Sequence, residues 1–506
     1  MNSIHTLPKL TVEVNNVALS PTDDYRLGSI RIQQRLSLPT LCELTFFDPK
    51  GALGADSRLM PGVALGVWMH GRTTPLFEGE LTALEYRYEP DHGRQIRLRG
   101  YDRMHRLRKS YSVRAHVQVT VADLAEELVA PLGIVVSAAA TGPLWHRLIQ
   151  DRQSDLELLT TMAERSGLYW VLHSNTLHLL TLAGTGAAIP LTLGESLFEA
   201  QVEVNSDAIV RSVATAGWNP LRMETHQGTA TAAQSGRDVA AHVSPEDVGS
   251  TGERTLVNQT VQADQQADAI AQALLDRSQA QEITLQGVAE GNPDLCPGCP
   301  ITVDNVAPHL TGQYVLTSVN HTMNPVQGYV SEISTLPPTP RLPVSSASTT
   351  IGTVTQVNDP DGLGRVQVSL PAYRDVETGW MAILTPGAGA GKGLVSLPDV
   401  GDQVLVLCPQ GDPAQGVVLG SLYGVQTAPD WGIEAGRIKR HTWLTPGGQR
   451  IQFNDVEQQL RLENGDGSFV ELAPTGVTVH AQRDLTLEAP GKTVTIRGQH
   501  IEFERA

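Results

Sequence analysis

The C-terminal part of the chain repeats one unit, two apolar residues separated by a single residue, at intervals of 7 to 10 positions. Alternation with a period of two gives a short strand one apolar face. Turn-forming residues fill the intervals, as at 464–467 and 490–491. The pairs are Ile451 with Phe453, Leu460 with Leu462, Val470 with Leu472, Val477 with Val479, Leu485 with Leu487, Val494 with Ile496, and Ile501 with Phe503.

A ribbon built from these strands has one apolar face and open edges, so it cannot bury itself. Copies wound around a common axis would bury that face, which predicts a homotrimeric β-prism or β-helix with the first six pairs in its core. The last pair, Ile501 and Phe503, would lie exposed at a blunt end. We therefore predict that a separate small cap protein contacts this pair.

The bulk composition favours a turn-rich, mainly β protein of three or four domains. The 506 residues include 47 glycines and 31 prolines, and only 5% are aromatic. The net charge of −17 argues against nucleic acid as a partner, because phosphates would be repelled. Residues 437–506 carry equal numbers of acidic and basic side chains, so the acidity lies in the preceding part.

The N-terminal sequence lacks a basic segment followed by an apolar one, and no run of 18 apolar residues occurs. We therefore expect the chain to be made in the cytoplasm without a signal peptide. Four cysteines, two of them isolated and two in one CxxC motif, indicate no disulfide framework.

Alternating segments between residues 10 and 99 predict strands, and three apolar stripes predict helices. Thr120 and Ser154 are the expected N-caps of the first two helices. The polar region 219–250 is expected to form a loop or a long hairpin. The predicted helices span 121–130, 155–165 and 265–277.

The second half of the chain divides by composition. Residues 336–350 are rich in proline, serine and threonine and predict a linker. Five short strands, at 351–357, 364–369, 378–385, 403–408 and 416–420, are typical of an OB-fold barrel, and residues 359–362 (DPDG) predict a simple turn. Residues 425–442 would then connect this domain to the trimeric prism at 443–506.

Residues 351–371, IGTVTQVNDPDGLGRVQVSLP, resemble the gauge OB domain of spike proteins in contractile injection machines. This family includes the VgrG-type spikes of type VI secretion and the central spikes of contractile phage tails. The similarity continues through 385–394 (TPGAGAGKGL) and 397–407 (LPDVGDQVLVL). Upstream, 97–110 (RLRGYDRMHRLRKS) and 149–170 resemble the hub part of the same family.

The resemblance implies a mainly β fold with a few helices. It would comprise an α+β hub of two β-barrels at 1–335, an OB-fold barrel and a C-terminal trimeric β-prism. It also implies a structural central spike at the centre of a baseplate, which links the inner tube to a membrane-puncturing tip and carries cargo. The implied partners are two further copies, a PAAR-type tip protein, inner tube and baseplate proteins, effector cargo and, on ejection, a target membrane.

Two departures from some relatives favour a chain that is not an enzyme. No lysozyme-like domain is inserted after Gly424, and no toxin extension follows Phe503. A spike-borne cell-wall hydrolase and a carbohydrate-binding tail fibre tip remain the alternative functions. The chain length favours an extracellular phage-like particle slightly over a type VI system, and both stay open.

Few residues suggest chemistry, and we predict no catalytic, cofactor or metal site. Cys296 and Cys299 form a CxxC motif, but prolines flank it and a strand follows, which favours a reduced turn. Copies of a ribbon histidine could meet on a threefold axis and bind a metal. His480 and His500 alternate away from the apolar pairs, which favours solvated side chains, and His441 precedes the repeat. The loop 387–392 lacks the serine or threonine that a phosphate-binding loop requires after its lysine.

Overall fold

The structure is a computed structural model that describes residues 8–19, 26–90, 93–207, 209–340, 346–424 and 427–504. The mainly β fold predicted from the sequence is confirmed, since the described residues form 35 strands and three α-helices. The chain divides into two compact units, Met1–Ser421 and Leu422–Ala506.

The hub part of the first unit contains twenty-three of the described strands. They are β1 (Leu10–Val14), β2 (Val17–Leu19), β3 (Arg26–Arg35), β4 (Leu38–Phe47), β5 (Ala64–Met69), β6 (Phe77–Glu89), β7 (Gly93–Tyr101), β8 (Arg114–Val119), β9 (Val135–Ala138), β10 (Trp145–Gln150), β11 (Tyr169–His173), β12 (Thr176–Leu180), β13 (Ile189–Thr192), β14 (Leu197–Val204), β15 (Ser212–Asn219), β16 (Glu224–Ala230), β17 (Asp238–Val239), β18 (Glu253–Thr260), β19 (Ile283–Glu290), β20 (Pro300–Asp304), β21 (Gly312–Val315), β22 (Ser318–Asn324) and β23 (Gly328–Ser334). The helices are α1 (Val121–Val129), α2 (Asp155–Arg165) and α3 (Asp264–Glu282).

An eleven-stranded sheet dominates the hub, in the order β14-β19-β23-β22-β3-β4-β7-β6-β5-β1-β2. Its apolar side chains alternate as the sequence predicts, so Ile30 and Ile32 of β3 pack with Leu44 and Phe46 of β4 in one core. The predicted closed hub barrels are not found among the described residues. The strands β14 and β2 end the sheet and do not pair with each other, which leaves it open.

The first two helices begin where the sequence predicts, because both have a complete capping box. Thr120 and Asp123 cap α1, and Ser154 and Glu157 cap α2. Each side chain accepts from the other residue's backbone N–H, which satisfies donors that the helix leaves free. Gly167, at φ +70°, follows the end of α2 in the left-handed region.

Helix α3 extends past the predicted end at residue 277, because buried polar contacts rather than apolar ones hold its last turns. The Asp276 carboxylate accepts from the backbone N–H of Gln234 at 2.6 Å. Glu282 is buried and pairs with Arg211 at 2.9 Å and Arg237 at 3.3 Å. Burial raises the pKa of Glu282, but the hydrogen bonds from Arg211 and the Val243 N–H and the charges of Arg211 and Arg237 together outweigh it, so the net pKa is lowered.

The polar region 219–250 contains a hairpin, one of the two predicted forms. Strand β16 pairs with β15 and packs against α3. Gly228 permits this contact, since a Cβ there would lie 2.3 Å from the backbone of Ala267. Only glycine allows so close an approach.

The OB module follows, with β24 (Ser348–Gln356), β25 (Gln367–Leu370), β26 (Val376–Glu377), β27 (Gln403–Cys408) and β28 (Val417–Ser421). Strand β24 starts inside the stretch predicted as a linker, of which 341–345 lie outside the described residues. The strand predicted at 378–385 is wrong: only isolated bridges occur, from Met381 to Val366 and from Ile383 to Val418. The five-stranded ladder β26-β25-β24-β27-β28 therefore stays open rather than closing as the predicted barrel.

The turn at 359–362 of the OB module is organised around a buried ion pair. Asp359 pairs with Arg365 at 2.7 Å, and their side chains are only 2% and 7% exposed. The Asp359 carboxylate also accepts from the backbone N–H groups of Asp361, Leu363 and Arg365. The motif predicted as a simple turn is thus an ionic anchor for the loop.

Polar contacts join the OB module to the hub at separate points. The Arg147 guanidinium donates to the Glu377 carbonyl at 2.6 Å, and Arg222 pairs with Asp361 at 2.9 Å. The Gln410 side chain forms a third contact point, through Thr260 at 2.9 Å and the backbone of Asn258 at 2.6 Å.

No helix in the described part of the chain has the length and apolar character that a membrane span requires.

Candidate functional site

The C-terminal ribbon is the candidate functional site. A short hairpin, β29 (Ile433–Glu434) and β30 (Arg437–Ile438), precedes a five-stranded antiparallel meander of neighbouring strands. Its members are β31 (Arg440–Leu444), β32 (Arg450–Asn454), β33 (Gln459–Glu463), β34 (Phe469–Ala473) and β35 (Gly476–His480). The meander thus begins at Arg440, three residues before the predicted prism.

The register of the meander aligns the apolar pairs in two columns. Residues directly opposite each other on neighbouring strands have side chains on the same face. One column runs through Trp443, Ile451, Leu462, Val470 and Val479, and the other through His441, Phe453, Leu460, Leu472 and Val477. The first four predicted pairs therefore form one continuous apolar face within this unit.

This face is not covered by the described residues of its own unit. Phe453 is 51% exposed, and Val477 is 68% exposed. The remaining column members are at least partly exposed as well. An apolar surface of this continuity marks a contact surface for another protein or copy.

The opposite face of the ribbon carries charged side chains that form ion pairs with one another. Arg461 pairs with Glu463 at 3.1 Å and with Glu471 at 2.9 Å. Arg450 also pairs with Glu463. The hydrogen bond from Arg461 lowers the pKa of Glu463, so this carboxylate stays charged at neutral pH. The charged face is therefore held by its own side chains, whereas the apolar face has no cover within the described ribbon.

Two residues of the ribbon network were missed by the sequence analysis. Asp430 accepts from Thr442 at 2.7 Å and from Arg440 at 3.2 Å, which together hold its pKa at about 2. Phe469 lies on the charged face, where the Arg461 guanidinium sits 3.8 Å from its ring centroid. The alternation of arginine and glutamate between apolar positions was the available signal for this network.

The three distal pairs differ from the prediction, because residues 481–504 form no strand. A strand is stabilised by hydrogen bonds to a neighbour, and this segment finds no such neighbour among the described residues of its own chain. The prediction of strands at these pairs is therefore wrong for the single chain. The burial of their side chains in a trimer stays a prediction. The six side chains and their exposed fractions are Leu485 (56%), Leu487 (67%), Val494 (50%), Ile496 (60%), Ile501 (48%) and Phe503 (90%).

Leu487 and Ile496 show this difference most directly. Both were predicted as core residues of the prism, yet each is more than half exposed and lies outside any strand. The alternation of apolar residues gives a segment one apolar face only once a neighbouring strand holds it extended. The sequence pattern therefore located these side chains, but it did not supply the backbone partner that would bury them.

The three ribbon histidines occupy different surroundings. His480 lies on the charged face and stacks on Phe469, with ring centroids 5.1 Å apart. His441 lies opposite Phe453 on the apolar face. His500 is exposed beside Glu502 at 3.8 Å. No group of three metal-ligating side chains occurs within the described residues of a single chain.

The other motifs singled out in the sequence lie in the first unit. Cys296 and Cys299 are partly exposed free thiols in a turn ahead of β20. The loop 387–392 forms a tight hairpin, with two hydrogen bonds between Gly389 and Lys392 at 3.1 Å.

Comparison with known families decides the class of protein. Residues 33–327, more than half of the chain, match the model of the phage tail baseplate hub family. The chain belongs to this family. Residues 350–423 match the type VI secretion system and phage-baseplate injector OB domain. The predicted resemblance to VgrG-type spike proteins is confirmed.

Individual relatives agree with the family assignment. The type VI secretion system spike protein VgrG4b of Pseudomonas aeruginosa PAO1 is 29% identical over 154 residues, 29% of this chain. The match spans only 18% of that relative's length.

Two solved structures share the fold. The E. coli c3393 protein, a type VI secretion component similar to bacteriophage T4 tail proteins gp27 and gp5, has a TM-score of 0.54 at 12% identity, covering 81% of this chain and 99% of that one. A Francisella PdpA-VgrG complex has a TM-score of 0.53 at 9% identity, covering 94% and 80%. Both likenesses extend over most of this chain and therefore show a shared fold.

Proposed function

We propose that the chain is the homotrimeric central spike of a contractile injection machine, which joins an inner tube to a puncturing tip and carries cargo. The continuous apolar face of β31–β35 carries this proposal. Its two columns have no cover in the described ribbon, while the charged face is already held by ion pairs. Three copies that wind together would bury the first face and leave the second in water.

The trimer is tested with paired double variants on β35. Val477→Lys with Val479→Lys places two charges on the apolar face, and Thr478→Lys with His480→Lys places two on the other. We expect light scattering to give a trimer for the wild type and the second variant. The apolar-face variant should dissociate or expose its ribbon to protease. A monomeric wild type, or equal behaviour of both variants, would overturn the proposal.

The proposed tip contact rests on Ile501 and Phe503, both exposed at the distal end of the ribbon. In the trimer this end consists of three copies of the segment, and one PAAR-type cap protein would cover all three. Changing both residues to Asp should abolish co-purification with the cap while the trimer persists, because six apolar pairs remain. Undiminished capture of the cap, or loss of the trimer, would contradict this arrangement.

The proposed role is mechanical rather than catalytic. The matched families are a baseplate hub and an injector OB domain, and neither is named for an enzymatic activity. We expect the purified trimer to leave peptidoglycan intact in zymography. A lytic band that persists through repurification would support the alternative of a spike-borne hydrolase.

A further inference from the structure

The turn formed by Cys296, Pro297, Gly298 and Cys299 holds two free thiols side by side. The Cys299 N–H donates to the Cys296 carbonyl at 3.1 Å, which closes a four-residue turn, and Gly298 adopts φ +87°. Proline followed by a glycine at positive φ is typical of the two central positions of a type II turn. The end residues of such a turn lie less than about 7 Å apart between Cα atoms, which overlaps the span that a disulfide bridges.

Backbone hydrogen bonds to two other segments of the chain, at Leu316 and Thr185, hold this turn in place. The Gly298 N–H donates to Leu316 at 2.7 Å, and the Leu316 N–H donates to Cys299 at 3.0 Å. The Gly298 carbonyl accepts from Thr185 at 2.9 Å. Both cysteines therefore project from a backbone that these hydrogen bonds hold in place.

Small molecules can reach the pair. Both cysteines are partly exposed, and Cys296 lines a cleft of about 180 Å³. Arg72 and Asp294 lie at the same cleft and pair through two hydrogen bonds, of 2.6 and 2.9 Å. The other two cysteines, Cys42 and Cys408, are buried and do not line this cleft.

The two thiols are not equivalent. The hydrogen bond between them raises the pKa of Cys296 and lowers the pKa of Cys299. The thiolate is the nucleophile in disulfide exchange, so the lowered pKa favours Cys299 as the attacking sulfur and Cys296, which lines the cleft, as the resolving one.

We propose that Cys296 and Cys299 are a redox modification site, at which a low-molecular-weight disulfide such as glutathione disulfide is reduced and the turn is closed by a disulfide. The Cys299 thiolate attacks one sulfur of the small disulfide and releases one thiol. The Cys296 thiol then loses its proton and attacks the Cys299 sulfur of the mixed disulfide, which releases the second thiol. Two cysteine thiols are oxidised and one small disulfide is reduced to two thiols.

The consequence is a disulfide bond immediately before β20, formed when the particle meets an oxidising environment. The closed loop is short, so the gain in global stability is small, because the loop entropy removed grows with loop length. The effect is local: the turn becomes fixed two residues after Asp294, whose carboxylate pairs with Arg72.

The test treats the full-length protein with glutathione disulfide and follows the mass of peptides that contain each cysteine. We expect the wild type to lose two hydrogens from the peptide holding Cys296 and Cys299, with Cys42 and Cys408 unchanged. Cys296→Ser should instead retain one glutathione on Cys299. At neutral pH, Cys299→Ser should react more slowly, because burial still raises the pKa of the remaining Cys296 thiol.

A second variant separates chemistry from folding. In Cys296→Ser the hydroxyl still donates to the Cys299 thiolate, whereas in Cys296→Ala no donor remains. Alkylation of Cys299 should therefore begin at lower pH in the serine variant. Stable glutathione on the wild-type pair, no reaction at the pair, equal reaction at Cys42 or Cys408, or identical alkylation profiles would each overturn the proposal.

Discussion

Replacing Asp359 with alanine is expected to loosen the OB module strongly. The carboxylate is the buried partner of Arg365, which is itself only 7% exposed, and it accepts three backbone N–H groups. Removing one partner of a buried pair costs about 3–5 kcal/mol, because the other charge is left without compensation. Since about 1.4 kcal/mol corresponds to a factor of ten, local opening should become roughly 100 to 4,000 times more frequent.

Hydrogen exchange of the amides in β24 and β25 measures this opening in the intact protein. Asp361→Ala is the matched control, because Asp361 also contacts Arg365 at 2.7 Å but its side chain is 44% exposed. An exposed ion pair contributes about 0–1 kcal/mol, so exchange should accelerate by less than about tenfold. Similar acceleration in both variants would refute the assignment of the buried pair as the anchor.

The same pair gives a pH dependence of defined sign. Hydrogen bonding from Arg365 lowers the pKa of Asp359 well below its usual value of 3.8. A lowered carboxyl pKa means that the folded state binds the proton less tightly than the unfolded chain, so this stabilisation is present above about pH 4 and is lost on further acidification. The difference between wild type and Asp359→Ala should be constant at neutral pH and shrink only in strong acid.

Further predictions concern the hub. Ser154→Ala removes half of the capping box of α2 and should lower stability by about 0.5–2 kcal/mol in a denaturation midpoint, with no change expected from a cap-preserving Ser154→Thr. Gly228→Ala forces a methyl group against the backbone of α3 and should cost about 1–3 kcal/mol, whereas Gly379→Ala, where the nearest atom lies 3.8 Å away, should be tolerated. A thermal shift assay on each pair of variants checks both predictions.

Local patterns predicted much of the architecture. Alternation predicted six of the eleven strands of the large sheet, β1 and β3–β7, and the N-cap residues Thr120 and Ser154 predicted two helix starts. The end of α3 was missed because Asp276 and Glu282 are polar, and their buried partners come from distant segments. Whether a sheet closes into a barrel depends on whether its edge strands pair with each other, and the alternation of apolar residues does not specify that pairing.

The ribbon shows the same limit. The apolar pairs predicted the columns through Ile451 and Phe453, because the register follows from the alternation itself. The charged face was not predicted, since the contacts of Asp430 and Arg461 join strands separated by turns. The distal pairs, such as that of Ile496, require neighbours that the described part of their own chain does not supply.

The polar contacts between the hub and the OB module have a mechanical consequence. They act at three separated places, through Arg147, Arg222 and Gln410, in addition to the peptide chain between the modules. Three points define a plane, so a thrust applied to the hub would be transmitted in compression across all of them at once. A sideways force would instead have to shear several hydrogen bonds together. Tilting of the OB module would thus be resisted by the separation of the three contacts rather than by the strength of any single one.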